Sequence, residues 1–131
     1  MGEAKILTAA AARTASETPV AGARLNVADW LASSAKRAPD ALAVVCPGRG
    51  SKKYATITFA ELDADATRIA RGLVQWGVRP GTRIALLVRP GIEFVTLVFA
   101  LLRAGAVIVL VDPGLGKRNL IDCLADAEPE G

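Results

Sequence analysis

Apolar and polar positions along this chain switch between a helical and a strand-like period, and the switches mark out its elements. Val27, Trp30, Leu31, Ser34 and Ala38 follow helical spacing. Asn26 is a good N-cap, Asp29 suits the positive helix start, and Lys36 and Arg37 suit its end before Pro39 stops it. Residues 42–46 form a short apolar strand, 47–51 (P-G-R-G-S) a turn and 54–57 a returning strand, which together predict a hairpin. Thr58 and Glu61 then make a capping box. The helix it opens carries Phe59, Leu62, Ala66, Ile69, Leu73 and Trp76 on one stripe, with Asp65, Arg68, Arg71 and Gln75 on the far side and Gly77 as its stop.

The second half of the chain is more apolar. Residues 83–88 read as a continuous strand of the buried type. Helix 92–103 is apolar on nearly every side, which requires burial on more than one face. Gly105 ends it, and residues 106–111 form the next strand. Joints this short between strand, helix and strand imply a parallel pair with a right-handed crossover. A last helix begins after Gly116 and turns Leu120, Ile121, Leu124 and Ala127 inward.

The fold class is therefore α/β: βαβ units preceded by a β-hairpin and helices. Two parallel strands are too few for a sheet covered on both faces. Residues 26–131 are accordingly expected to be the N-terminal part of a larger layered α/β domain, behind a flexible leader over residues 1–25. Standing alone, such a piece should leave apolar helix and strand-edge surface exposed.

Composition narrows the function. The chain has 131 residues, 52% of them apolar, and a net charge of only +3 with its cations scattered. Nucleic-acid binders concentrate positive charge, so no nucleic-acid partner is expected. Histidine is absent, which excludes Ser-His and Cys-His nucleophile pairs and His metal ligands within this sequence. Cys46 and Cys123 sit where small buried hydrophobes sit, and free thiols with no secretory h-region point to the cytoplasm. The longest apolar candidate, residues 94–102, is about half the roughly 18–20 residues that span a bilayer, so no transmembrane segment is expected.

Few residues look able to do chemistry. The glycine-rich turn 47–51 lacks phosphate-loop spacing and leads into a strand. Asp63 and Asp65 stand two apart on a helix and do not face one another, so they read as solvated charges rather than a carboxylate pair. Ligands of open α/β sheets sit at the carboxyl ends of the strands. Here those ends carry Arg89-Pro90-Gly91 and Asp112-Pro113-Gly114-Leu115-Gly116. The second opens a helix, so it reads either as an anion contact or as a tight turn with Lys117 and Arg118 solvated beside it. No G-x-G-x-x-G follows either strand, which argues against a dinucleotide site.

The wording of the chain adds a family. N-V-A-D-W-L at 26–31, I-T-F-A-E-L at 57–62, G-V-R-P-G-T-R at 77–83 and L-L-R-A-G-A-V-I-V-L-V-D-P at 101–113 resemble, in order, the early part of the adenylate-forming ligases. I-T-F-A-E-L is similar to that superfamily's first core motif, and the last string, with Gly105 and Asp112, to its second. Both motifs are usually structural. R-P-G-I-E-F and D-P-G-L-G-K-R-N-L-I-D-C-L resemble the fatty-acid branch, and within it the olefin β-lactone synthetases, which act on β-hydroxy acids. The resemblance implies a parent enzyme that uses ATP and Mg2+ to activate a fatty or β-hydroxy acid as an acyl-adenylate, leading to acyl-CoA or a β-lactone. It also implies a lysine-terminated phosphate loop, later acidic residues and a mobile catalytic lysine, none of which occurs in these residues. No catalytic, cofactor-binding or metal-binding residue is assigned in this chain. Its implied partner is the remainder of the parent ligase, with a scaffolding role for the segment itself. The alternative reading is a stand-alone small α/β binding or interaction module without catalysis.

Overall fold

The computed structural model describes residues 26–48, 50, 53–112, 114 and 116–131. The leader expected over residues 1–25, and Arg49, Ser51, Lys52, Pro113 and Leu115 within the two glycine-rich turns, lie outside the described residues. The elements run α1 (Val27–Arg37), β1 (Leu42–Pro47), β2 (Tyr54–Thr58), α2 (Phe59–Gln75), β3 (Arg83–Leu86), α3 (Ile92–Arg103), β4 (Val107–Leu110) and α4 (Lys117–Ala127).

Local chemistry sets most of the boundaries. The Asn26 side chain accepts from the Ala28 N–H at 2.9 Å and starts α1. At the head of α2 the capping box forms as expected: Glu61 N–H donates to Thr58 Oγ1 at 3.3 Å, and Thr58 N–H donates to Glu61 Oε2 at 2.9 Å. Those bonds to Thr58 hold the Glu61 carboxyl below its ordinary pKa. The Phe59 and Ala60 N–H groups find the Ala41 and Pro39 carbonyls at 3.0 and 3.1 Å, so the turn after α1 completes the cap of α2.

Both long helices end in the same reversal. Gly77 N–H donates to Val74 O and Val78 N–H to Leu73 O; Gly105 N–H donates to Leu102 O and Ala106 N–H to Leu101 O. Each is a Schellman motif with its glycine at positive φ, 112° for Gly77 and 76° for Gly105. This accounts for two departures from the sequence reading. Trp76, expected on the inward stripe, is 85% exposed, because Val78 folds back over Leu73 and takes the place in the core. The last strand starts at Val107 rather than 106, because the Ala106 N–H is spent on the helix end.

β1 and β2 form an antiparallel hairpin, with Val44 opposite Ile57 and Pro47 opposite Tyr54. β3 and β4 form a separate parallel pair, from Arg83 opposite Val107 to Leu86 opposite Leu110. Pairing stops at Leu86, so the strand expected over 83–88 is two residues shorter, and Leu87 is exposed instead of buried.

The core has two parts that meet on α3. One gathers Leu31, Ile57, Leu62, Ala66, Ala70 and Ala100; the other gathers Val78, Leu86, Leu101, Ala104 and Ala106. Ala100 serves the first and its neighbour Leu101 the second, which is why α3 must be apolar on nearly every side. Fully buried alanines at 28, 66 and 100 let the α1, α2 and α3 backbones approach closely. The one buried polar residue among those described, Thr96, donates its hydroxyl to the Ile92 carbonyl at 2.8 Å.

The outer helices are less covered than the spacing predicts. On α1 the buried positions are Ala28 and Leu31, while Trp30 is 73% exposed. On α4 no residue is buried: Leu120, Leu124 and Ala127 are half-covered, and Ile121 is exposed. Cys123 is exposed with them and Cys46 half-buried, both free thiols, so neither is the buried hydrophobe expected.

Leu62, 2% exposed between α2 and the hairpin, should dominate the stability of the first core. Leu62→Ala is expected to cost about 2–5 kcal/mol in a denaturant melt, and Arg71→Ala on the exposed side of α2 less than about 0.5 kcal/mol. Equal effects would contradict this packing.

Candidate functional site

The parallel register brings the two loops singled out from the sequence to one end of the β3–β4 pair, the carboxyl end. At Asp112 the side chain is already engaged: its Oδ1 accepts from the Gly114 N–H at 2.8 Å. That bond makes an Asx turn, which fixes the bend between β4 and α4. Gly116 then precedes α4 at φ 77° with no side-chain cap, and Lys117 and Arg118 are exposed at the helix start. Among the described residues of this turn, the Asp112 side chain is engaged with the backbone and the start of α4 is uncapped by any side chain.

The densest polar cluster is elsewhere, and the sequence reading did not find it. Arg103, the last residue of α3, points its guanidinium into the junction of three helices. Nη1 donates to the Asp63 carbonyl at 3.0 Å and to Thr67 Oγ1; Nη2 pairs with Asp63 Oδ1 and reaches the Ala28 carbonyl at 3.5 Å. The Arg103 and Asp63 side chains are only 17% and 28% exposed. Asp63 is therefore not the solvated charge expected from its spacing. Asp65 is: its pair with Arg68, at 3.1 Å, lies open to water. Asp63 and Thr67 stand four apart and so share the face of α2 that meets Arg103. The signal available in the sequence was a lone cation closing an otherwise greasy helix, whose charge needs a partner once the helix is buried.

Asn26 reinforces the same junction. Besides capping α1, its Nδ2 donates to the Leu102 carbonyl at 2.8 Å, tying the start of α1 to the last turn of α3. Two depressions flank these helices. One, of about 360 Å³, lies beside the clasp and is lined by Thr67, Ala70, Arg71, Val74, Gln75 and Arg103. The other, of about 230 Å³, is an apolar groove floored by Leu62 and Phe99 and rimmed by Val27 and Trp30. In the first, Thr67 and Arg103 are already engaged in the clasp while Arg71 and Gln75 are exposed; the second is lined almost wholly by apolar side chains. Among the described residues no three Cys, Asp or Glu side chains come together to hold a metal ion, and no helix is long and apolar enough to cross a membrane. Arg103 and Asp63 are thus used in joining the helices of this segment.

A parallel βαβ unit follows a hairpin and two helices, and its motif residues are used in packing, turns and caps. Residues 31–131 match the family described as AMP-binding enzyme, and the chain belongs to that family. It is 47% identical over 110 residues to the olefin beta-lactone synthetase of Xanthomonas campestris and 43% identical over 111 residues to that of Stenotrophomonas maltophilia. Each alignment covers 80% of this chain and 20% of the relative, so the chain spans about a fifth of the length of these relatives. Among solved structures it is similar to the N-terminal domain of FACL13 from Mycobacterium tuberculosis, with a TM-score of 0.72 and 29% identity over 82% of this chain and 26% of that one. The expected superfamily and fold class are thereby met.

Two substitutions test the structural reading of the second motif. Arg103→Ala strands Asp63 at a mostly covered junction and is expected to cost about 3 kcal/mol in a urea melt. Arg103→Lys should recover less than half, because an ammonium cannot fork across three helices. An Arg103→Ala melt within about 0.5 kcal/mol of the parent would show that the clasp contributes nothing.

Gly105→Ala meets a second constraint. A Cβ there would lie 3.2 Å from both the Pro80 Cα and Cβ, and φ is 76°. The expected loss is about 1–3 kcal/mol by the same melt. An unchanged midpoint would mean that the turn relaxes without cost.

Proposed function

We propose that this chain is the N-terminal scaffold segment of an ATP-dependent ligase that activates a fatty or β-hydroxy acid as its acyl-adenylate. The observation that carries the reading is the 47% identity over 110 residues to an olefin beta-lactone synthetase. In the proposed reaction the acid carboxylate attacks the α-phosphorus of ATP. An acyl–phosphate anhydride bond forms, the bond between the α- and β-phosphates breaks, and pyrophosphate leaves. The adenylate then goes on to acyl-CoA or, from a β-hydroxy acid, to a β-lactone. Positioning and charge stabilisation supply most of such a rate enhancement.

In this proposal no catalytic step is assigned to the segment itself. Its contribution is rigidity. The Arg103 junction and the two glycine reversals fix α2, α3 and the parallel strands relative to one another, so that loops carried by the rest of the enzyme work on a stiff base. ATP, Mg2+, the acid and the remaining polypeptide are the partners of the whole ligase. The free thiols fit a cytoplasmic setting.

The test is ATP–pyrophosphate exchange with a long-chain β-hydroxy acid. The 131-residue chain alone is expected to show none above buffer. The same chain joined at Gly131 to the remainder of the Xanthomonas campestris synthetase is expected to exchange, with dependence on the acid. Acid-dependent exchange by the chain alone, or an inert fusion that folds cooperatively, would overturn the reading.

A further inference from the structure

From Ala66 to Gly91 the chain carries five arginines and no acidic residue. Two of the five are answered in the fold, Arg68 by Asp65 at 3.1 Å and Arg83 by Glu128 at 3.6 Å. Arg79 and Arg89 are exposed on the loops that flank β3. Arg71 is exposed on α2 and has no ion pair or side-chain hydrogen bond among the described residues. Its surroundings set it apart from the other two. Thr67, Ala70, Arg71, Val74 and Gln75 recur at helical spacing and form one stripe of α2. Together with Arg103 they line the depression of about 360 Å³.

That lining holds two guanidiniums and no carboxylate. The charge of Arg103 is already met by Asp63, and both of its Nη atoms are bonded. Its Nε–H donates to no described residue, yet no described side-chain nitrogen is buried without a partner, so this N–H is reached by solvent. The unanswered charge of the depression is therefore the one on Arg71. Beside it, Gln75 adds a side-chain amide, while Ala70 and Val74 add an apolar wall.

Such a lining selects a ligand by two properties. A guanidinium next to an amide offers several N–H donors to a planar carboxylate. The apolar wall is best covered by a hydrocarbon chain. Inorganic phosphate would meet a single unanswered cation and leave the wall wet. The volume lies at the small end of ligand pockets, which run from about 300 to 1,000 Å³.

We infer that this depression is a binding site for a carboxylate with a short apolar chain, the carboxylate held by Arg71 and Gln75 and the chain laid on Ala70 and Val74. The site lies at the amino end of the parallel strands, since Arg103 ends α3 just before β4 begins. Ligands of open α/β sheets sit at the opposite, carboxyl end. A carboxylate bound here does not compete for that end of the sheet. The inference stands on these residues and does not rest on the ligase reading.

The experiment follows modification of individual arginines by phenylglyoxal, read by peptide mass spectrometry, in the 131-residue chain. By mass action, octanoate at several times its dissociation constant should slow the reaction of Arg71 about fivefold and leave Arg79 unchanged. Octanol and inorganic phosphate at the same concentrations should protect neither. Gln75→Glu keeps the helix but answers Arg71 from four residues away and repels a second carboxylate, so protection by octanoate should fall severalfold. Equal protection by octanol would reduce the effect to apolar adsorption, and equal protection by phosphate to a general attraction for anions; either overturns the inference. So does equal slowing at Arg79, no slowing at Arg71, or undiminished protection in Gln75→Glu. The same measurement on the fusion to the Xanthomonas campestris synthetase asks whether the depression stays open in a whole enzyme. Arg71 reacting there and protected by octanoate supports the site; Arg71 unreactive before octanoate is added overturns it.

Discussion

The guanidinium of Arg103 sits where three helices meet, and the arrangement of the whole segment depends on what it holds. It bonds the α2 backbone at Asp63, the α2 side chains of Asp63 and Thr67, and the α1 carbonyl of Ala28. A charge in such a place is costly to bring out of water, and its attraction to one carboxylate does not usually repay that cost by a wide margin. What it adds is geometry. A planar fork with five donors accepts few arrangements of its partners, so α1, α2 and α3 meet at one set of angles rather than sliding along their alanine-rich contacts. With α3 fixed, the strands on either side of it are fixed as well, because β3 leads into it and β4 leaves it within a few residues.

That junction gives the second family-like motif a mechanical meaning, position by position. In L-L-R-A-G-A-V-I-V-L-V-D-P, Leu101 and Ala104 fill the second core and the Leu102 carbonyl receives Asn26. Arg103 is the clasp, and Gly105 takes the left-handed turn against Pro80 that a Cβ would obstruct. Residues 107–110 are the strand, and Asp112 ties the following bend. Gly81 joins in from the other side, its N–H donating to the Gly105 carbonyl at 2.8 Å. The described residues of the string are thus used in packing, turns and strand pairing.

Much of this architecture was legible beforehand, because it is set by short-range rules. Caps, glycine stops and apolar periodicity gave α2 and α3 to within a residue, the hairpin, and the parallel pair. What escaped was set by tertiary competition. Trp76 lies on the stripe by spacing, yet Val78, past the glycine reversal, occupies the space first. Asp63 looks solvated by its neighbours in sequence, yet its partner is forty residues away in α3. No local pattern encodes either outcome. For α4 the spacing correctly marks an apolar face but cannot say what covers it.

The uncovered surface has an order to it. Exposed apolar side chains occur on α1 at Val27 and Trp30, at the end of α2 at Val74 and Trp76, and across Leu87, Leu110 and Ile121 around the parallel strands. Val27, Trp30 and Val74 border the two depressions. The third surrounds a sheet of only two strands, and parallel sheets are stable when several strands are buried on both faces. The hairpin likewise exposes Leu42, Val45 and Tyr54, so both two-stranded sheets leave apolar surface open, while the helices are joined at the Arg103 junction. A segment built this way is held where its helices meet and open at its sheets, which fits the scaffold role proposed for it.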